Sequence, residues 1–372
     1  MKEVSQSRLP ELDGWRAVSV LLVILHHYGW FQHPQLVPKI RGLGHFLHYC
    51  GPLGVKVFFV ISGFVICRLI SSEDRRYGSV SLKGFYCRRV FRILPPLFLY
   101  IGTIALLCSF GLIHESPTAF RNALMFLNDL DVHPYSWLLG HTWSLAVEEQ
   151  FYLIFPTMWI LTPQRFKGRV FTTALLFCAA SNLSMAFTGW KALIYSDTRA
   201  GFTCICCGVV MAIYERRLRS LAGHVPAFVV AIIGLILLVH PCLSEDWPAA
   251  LYESLVVPAA IGLVLLFSLV RGPWLRVFLC SSPAQVIGIT SYGIYLWQQL
   301  FTAPRQYLFA GGGVIPLLIP LICAIVPLSY FLVEVPAIHY GKSLSQRYRD
   351  AITACSRGTL QDDLVKRSSV GV

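Results

Sequence analysis

Apolar runs long enough to cross a lipid bilayer recur from one end of this chain to the other, and that repetition limits its fold more than any single residue does. A helix crossing the hydrocarbon core needs about 20 mostly apolar residues. Ten stretches meet that need: 13–31, 52–70, 88–110, 142–161, 170–189, 199–214, 225–241, 250–270, 284–302 and 314–333. The expected fold is an all-α integral membrane protein, a polytopic bundle of about ten transmembrane helices. Of 372 residues, 55% are hydrophobic and only 13% charged, about half the charged fraction of a soluble domain. The N-terminus lacks a basic stretch leading into a short apolar core and a small-residue cleavage site. Its first apolar run therefore reads as a span and not as a signal peptide.

Basic residues assign the sides. Arg75, Arg76, Lys83, Arg88, Arg89 and Arg92 cluster between and at the edges of spans two and three. Arg165, Lys167 and Arg169 follow span four, Arg216, Arg217 and Arg219 follow span six, and Arg271 and Arg276 follow span eight. Lys342, Arg347 and Arg349 follow span ten. The alternate connections hold only Lys39 and Arg41, Arg121, Lys191 and Arg305. Positive connections face the cytoplasm, which puts both termini inside. Topology thus accounts for much of the +12 net charge with no need for nucleic acid. Residues 1–341 form the transmembrane unit, and the polar, mixed-charge segment 342–372 reads as a loosely ordered cytoplasmic tail.

The twelve cysteines decide little, because most, including Cys108, Cys178, Cys206, Cys207 and Cys323, sit in apolar spans as small apolar residues. "CICC" at 204–207 lacks the spacing of a zinc knuckle and has no matching second pair. No metal site is expected, and no Walker loop, dinucleotide fingerprint or internal repeat is present.

Polar residues inside the spans carry the information. "LDGWRAVSVLLVILHHYGW" places Arg16 and His27 eleven residues apart. On a helix they share a face, roughly 20° out of register and about 16 Å apart along the axis, while His26 points elsewhere. An ionisable group within a span is a functional hypothesis that needs a partner. Span three opens "FYCRRVFRILPP", in which Arg88 and Arg92 stack one turn apart. Arginines there serve as ordinary topological anchors that snorkel to headgroups. They also suit a phosphate-bearing cytosolic ligand, since guanidinium forks match phosphate oxygens in pairs.

Span four opens "HTWSLAVEEQFYLIFP", and its Ser144, Glu148 and Tyr152 form a polar line at spacing four. A carboxylate at the bilayer centre costs about 2.5–3.5 kcal/mol on insertion scales, so Glu148 should face protein or water. Locking helices together through an arginine or histidine would explain its burial, but not the number of such groups. "SYGIYLWQQL" in span nine adds Ser291, Tyr295, Gln298 and Gln299. One such residue would be packing glue; four polar segments in one bundle imply a wet cavity that binds substrate.

These segments resemble, in order, the motifs of the membrane-bound acyltransferase family 3: "LDGWRAVSVLLVILHH", "GVKVFFVISGFVI", "FYCRRVFRILP", "TWSLAVEEQFYLIFP", "SYGIYLWQQ" and "VEVPAIHYG". The likeness covers about residues 9–341. The family's arginine, ten residues, histidine pattern falls on Arg16 and His27, its arginine cluster on Arg88, Arg89 and Arg92, and its glutamate motif on Glu148. The resemblance implies transfer of an acyl group, often acetyl, from acyl-CoA to a carbohydrate or other hydroxylated acceptor. Acyl-CoA is a donor here, not a permanently bound cofactor. The location implied is the plasma (inner) membrane, in contact with membrane lipid. Two departures stand out: many relatives have histidine where this chain has Gln298, and the extra span and extracytoplasmic hydrolase-like domain of larger members are absent. The unit then acts alone or with a separate extracytoplasmic partner.

The chemistry agrees with that reading. Acyl transfer to a hydroxyl needs a base, a held donor and stabilisation of the developing oxyanion. A neutral histidine suits the first role, which falls to His27, with Glu148 as the acidic partner of the imidazole. The arginines suit the phosphate-bearing donor. A membrane transporter with a polar central cavity, or a structural membrane protein, is the alternative from another class. Transporters often show repeats or paired broken segments, and neither alternative explains six motifs in order.

Overall fold

The computed structural model describes residues 8–27, 43–130, 136–188, 196–239, 252–271, 273–302 and 318–350. Among them the regular elements are helical, with no strand. The first half of the chain forms α1 (Pro10–His26), α2 (Leu43–Tyr77), α3 (Leu82–Ser109), α4 (Pro117–Met125), α5 (Trp137–Gly140), α6 (Trp143–Leu161) and α7 (Lys167–Thr188). Next come α8 (Ser196–Ile213), α9 (Glu215–Ala222), α10 (Ala227–Val239) and α11 (Val257–Val270), the last entered through a π turn at Tyr252–Val256. The remainder forms α12 (Pro273–Leu279), α13 (Ser282–Ile289), α14 (Ser291–Phe301) and α15 (Leu318–Ser329). After α15 a π turn at Tyr330–Glu334 leads into helix that continues to Asp350.

Local chemistry sets several of these boundaries. Ser81, Ser116 and Ser136 cap α3, α4 and α5, each accepting from the backbone N–H three residues on, which satisfies a donor that helix geometry leaves over. Proline, which has no N–H to lose, occupies the first turns of α1, α4 and α13.

Four helices are by length and composition able to cross a membrane: Tyr49–Tyr77 within α2, Leu82–Ser109, Tyr252–Val270 and Ile322–Asp350. A fifth results if α8 and α9, bent by 92° to one another, form one broken span. The ten continuous spans expected from apolarity are thus found only in part among the described residues. The stretch 284–302 is interrupted at Thr290, which ends α13 and starts α14. The helix α1 has 17 residues and α10 has 13. Sequence apolarity measures total length, whereas crossing in one piece needs an unbroken helix. The final helix runs nine residues beyond the boundary drawn at 341, so the first part of the expected loose tail is helical. Lys39, Arg41, Lys191, Arg305 and residues 351–372 lie outside the described residues.

The most extensive interhelical contact joins α2 to α8. It is a backbone-on-backbone seam: a Cβ on Gly63 would collide with the Ile205 carbonyl, and one on Gly208 with the Val60 carbonyl. Small residues let transmembrane helices approach this closely. On the other flank α1 packs against α13, where Gly288 abuts the carbonyl of Asp13.

Many basic residues beside the spans are paired. Glu73 receives Arg88 at 3.0 Å and Arg349 at 3.3 Å, Asp74 receives Lys167 at 2.6 Å, and Glu215 receives Arg68 at 2.9 Å and Arg219 at 2.7 Å. These pairs tie the ends of α2, α3, α7, α9 and the last helix together.

Candidate active site

Helices α1, α2, α3, α6 and α14 enclose one cavity of about 960 Å³, counting the open space at its mouth. Its polar wall consists of Arg16 from α1, Ser62 from α2, Arg89 and Arg92 from α3, Ser144, Glu148 and Tyr152 from α6, and Ser291, Tyr292 and Tyr295 from α14. Its apolar wall is chiefly α2, through residues such as Val55, Phe59, Val65 and Leu69. The helical period of four brings Ser144, Glu148 and Tyr152 to one face, as their spacing requires.

Glu148 is the hub of this wall. Its carboxylate accepts from the hydroxyls of Ser62 and Tyr152, which also meet each other. Tyr152 is 3% exposed, and the guanidinium of Arg89 stands 4.8 Å over its ring. Arg92 lies deep in the bundle yet keeps an open surface, because that surface is cavity wall. Neither Arg89 nor Arg92 makes an ion pair among the described residues. Arg16 is held by Asp13 at 2.9 Å, and Asp13 also receives Arg8 at 2.6 Å. The cavity therefore presents two unneutralised guanidinium groups to whatever enters it.

Eight sequence candidates share this cavity: Arg16, Arg89, Arg92, Ser144, Glu148, Tyr152, Ser291 and Tyr295. Three lie elsewhere. Arg88 turns away into Glu73 and hydrogen-bonds Ser345, so the donor role expected for the whole cluster fits only Arg89 and Arg92. Helix periodicity stacks Arg88 over Arg92, but α3 is sandwiched between the cavity and Glu73, and one turn is enough to change neighbours. Gln298 is fully buried, with its amide on the Gln299 side chain at 2.8 Å. His27 does not line the cavity. It stands at the C-terminal end of α1, while Ser144 and Tyr295 of the cavity wall share a 2.6 Å hydrogen bond.

The two histidines part company there. His26 Nδ1 donates to the Leu47 carbonyl at 2.7 Å, and its ring packs on Gly51 of α2. His27 Nδ1 meets the Val23 carbonyl at 3.0 Å. A carbonyl only accepts, so in the neutral ring Nδ1 carries the proton and Nε2 the lone pair. The His27 ring is half-buried and sits edge-on to Trp137 of α5, with centroids 5.6 Å apart.

Three residues of this region escaped the sequence reading, one of them Tyr292, whose hydroxyl donates to the Ile93 carbonyl at 2.9 Å. Ser62 was hidden in an apolar run, where one hydroxyl looks like helix packing. His141, at the junction of α5 and α6, lies three residues before Ser144 and seven before Glu148. That heptad spacing, which puts it on the Glu148 face, was the available signal.

The model of a family described as an acyltransferase domain matches residues 9–334. Among curated proteins, the chain is 27% identical to a Bacillus subtilis (strain 168) protein, YrhL, provisionally named a peptidoglycan O-acetyltransferase; 91% of this chain and 56% of that protein align. A Staphylococcus aureus (strain COL) protein provisionally named an O-acetyltransferase is 27% identical over 78% of this chain and 50% of its own length. The peptidoglycan O-acetyltransferase OatA of Listeria monocytogenes serovar 1/2a is 26% identical, over 79% of this chain and 49% of its own. The chain thus spans about half the length of the curated relatives it matches. No solved structure matches it.

Proposed function

The chain belongs to the acyltransferase family whose model covers residues 9–334, and on that premise we propose that it carries an acyl group, most simply acetyl, from acyl-CoA to a hydroxyl of a carbohydrate acceptor. The observation that carries this reading is the pair Arg89 and Arg92, two guanidinium groups that make no ion pair among the described residues, in a cavity shared with Glu148. Unpaired charge in such a place calls for an anion, and a phosphate-bearing donor supplies one. Peptidoglycan, which the names of two relatives print, supports a sugar acceptor.

In this reaction the acceptor oxygen bonds the acyl carbon, its proton passes to His27 Nε2, the carbon–sulfur bond breaks, and the thiolate of CoA leaves. Glu148 holds the hydroxyls of Ser62 and Tyr152 in place on the cavity wall. Donor entry on the arginine side and acceptor entry on the histidine side fit a multi-pass protein of the plasma (inner) membrane with both termini cytoplasmic. A separate extracytoplasmic protein is the further partner that this reading leaves room for. The test is transfer by the purified protein in nanodiscs: radiolabel should pass from acetyl-CoA to a soluble oligosaccharide and vanish in His27→Ala. Label that stays on acetyl-CoA with every acceptor offered would overturn the reading.

A further inference from the structure

Near the turn that joins α5 to α6 stand two buried polar side chains whose ring nitrogens no described residue satisfies. His141 is 5% exposed, yet neither ring nitrogen makes a hydrogen bond of ordinary geometry, although the Leu138 carbonyl lies nearby. Trp297 Nε1 is equally unmet, on a residue 4% exposed. Aromatic contacts bind the two together, and Trp137 links the region to His27. Tyr100 stands edge-on to His141 at 5.6 Å and to Trp297 at 5.5 Å. Trp137 donates to the Gln299 carbonyl at 3.1 Å and meets the His27 ring.

Buried polar atoms are nearly always paired, so three orphans in one cluster need an explanation. Packing gives none, because phenylalanine or leucine would fill the same space without losing hydration. Their unmet capacity is an indole N–H, one imidazole N–H and one imidazole lone pair. Two donors and one acceptor complement the edge of a polyol: oxygen lone pairs and one hydroxyl proton.

We propose that His141 and Trp297 form the subsite that holds the hydroxylated acceptor beside His27, outside the cavity that takes the donor. The proposal rests on the acyl-transfer reading and adds the acceptor's place. His141 and Trp297 grip acceptor oxygens adjacent to the one that reacts, and the reacting hydroxyl turns its proton to His27.

The experiment compares wild type, His141→Phe and Trp297→Phe, each full-length in nanodiscs, using acetyl-CoA and tri-N-acetylchitotriose as probes. Thermal midpoint, acetyl-CoA affinity, calorimetric sugar binding and transfer kinetics are read together. A residue kept for packing loses stability when replaced; an orphaned donor does not. The expected result is an unchanged or raised midpoint, acetyl-CoA affinity within about twofold, and sugar binding weakened by about tenfold or more in each variant. Wild-type sugar affinity retained by both variants overturns the subsite, as does a parallel fall in midpoint and activity. Wild-type protein that neither binds nor acylates the sugar also overturns it. Sugar binding that depends on His141 and Trp297 without transfer from acetyl-CoA upholds the subsite and overturns only the acyl-transfer reading.

Discussion

The hydroxyl of Tyr295 donates to the backbone carbonyl of His141 at 2.8 Å, so a residue of α14 fixes the turn that connects α5 to α6. The same hydroxyl meets Ser144 at 2.6 Å. Through these two contacts one phenol of the cavity wall ties α14 to the start of α6 and to the turn that carries His141.

Removing that hydroxyl tests the arrangement. Tyr295→Phe should cost about 1 kcal/mol of stability, the usual net worth of a hydrogen bond. Transfer should drop more steeply, by roughly tenfold or more, because the turn carrying His141 loses its anchor. Melting curves and turnover on the same preparation separate the two effects.

The arginines divide by neighbour. Arg92→Ala and Arg89→Ala should each raise the apparent KM for acyl-CoA by about tenfold, near 1.4 kcal/mol, with the acceptor KM little changed. Arg88→Ala should leave donor affinity nearly intact and lower stability instead, since it strips a partner from the buried Glu73. Initial-rate kinetics in both substrates, with a melting curve for each variant, check the split.

Adjacent histidines should fail differently. His27→Ala should reduce transfer by about 10²–10⁴-fold, the usual contribution of a general base, while the protein remains folded. His26→Ala removes a hydrogen bond to Leu47 and the packing against Gly51. It should destabilise by about 1–3 kcal/mol with a smaller loss of specific activity. Equal specific activities in the two folded variants would contradict the assignment.

A glycine outside the cavity should matter as well. Gly288→Ala places a methyl group against the Asp13 carbonyl and pushes on the residue that holds Arg16. The expected cost is about 1–3 kcal/mol, with weakened transfer. Gly102→Ala, where a methyl group would meet nothing within 4 Å, should be neutral or slightly stabilising on helix propensity alone. Thermal midpoints of the pair give the answer.

Much of the cavity was legible because a helix converts spacing into a face: Ser144, Glu148 and Tyr152 had to share one, and they do. Spacing says nothing about which helix lies opposite. Arg88 and Arg89 look interchangeable in the sequence, and only the position of Glu73, on a different helix, separates them. His141 was passed over because its significance is a lack of partners, which no linear pattern records. The break at Thr290 was equally hidden, since apolar residues run straight through it.

The seam between α2 and α8 also constrains the order in which the protein is built. Gly63 and Gly208 lie far apart in the chain, and each needs the other helix's backbone to fill its empty side. As the chain emerges from the ribosome, α2 enters the bilayer with that groove uncovered and waits until α8 has been threaded. Until then the apolar wall of the cavity has no backing, so chains truncated before residue 208 cannot assemble it.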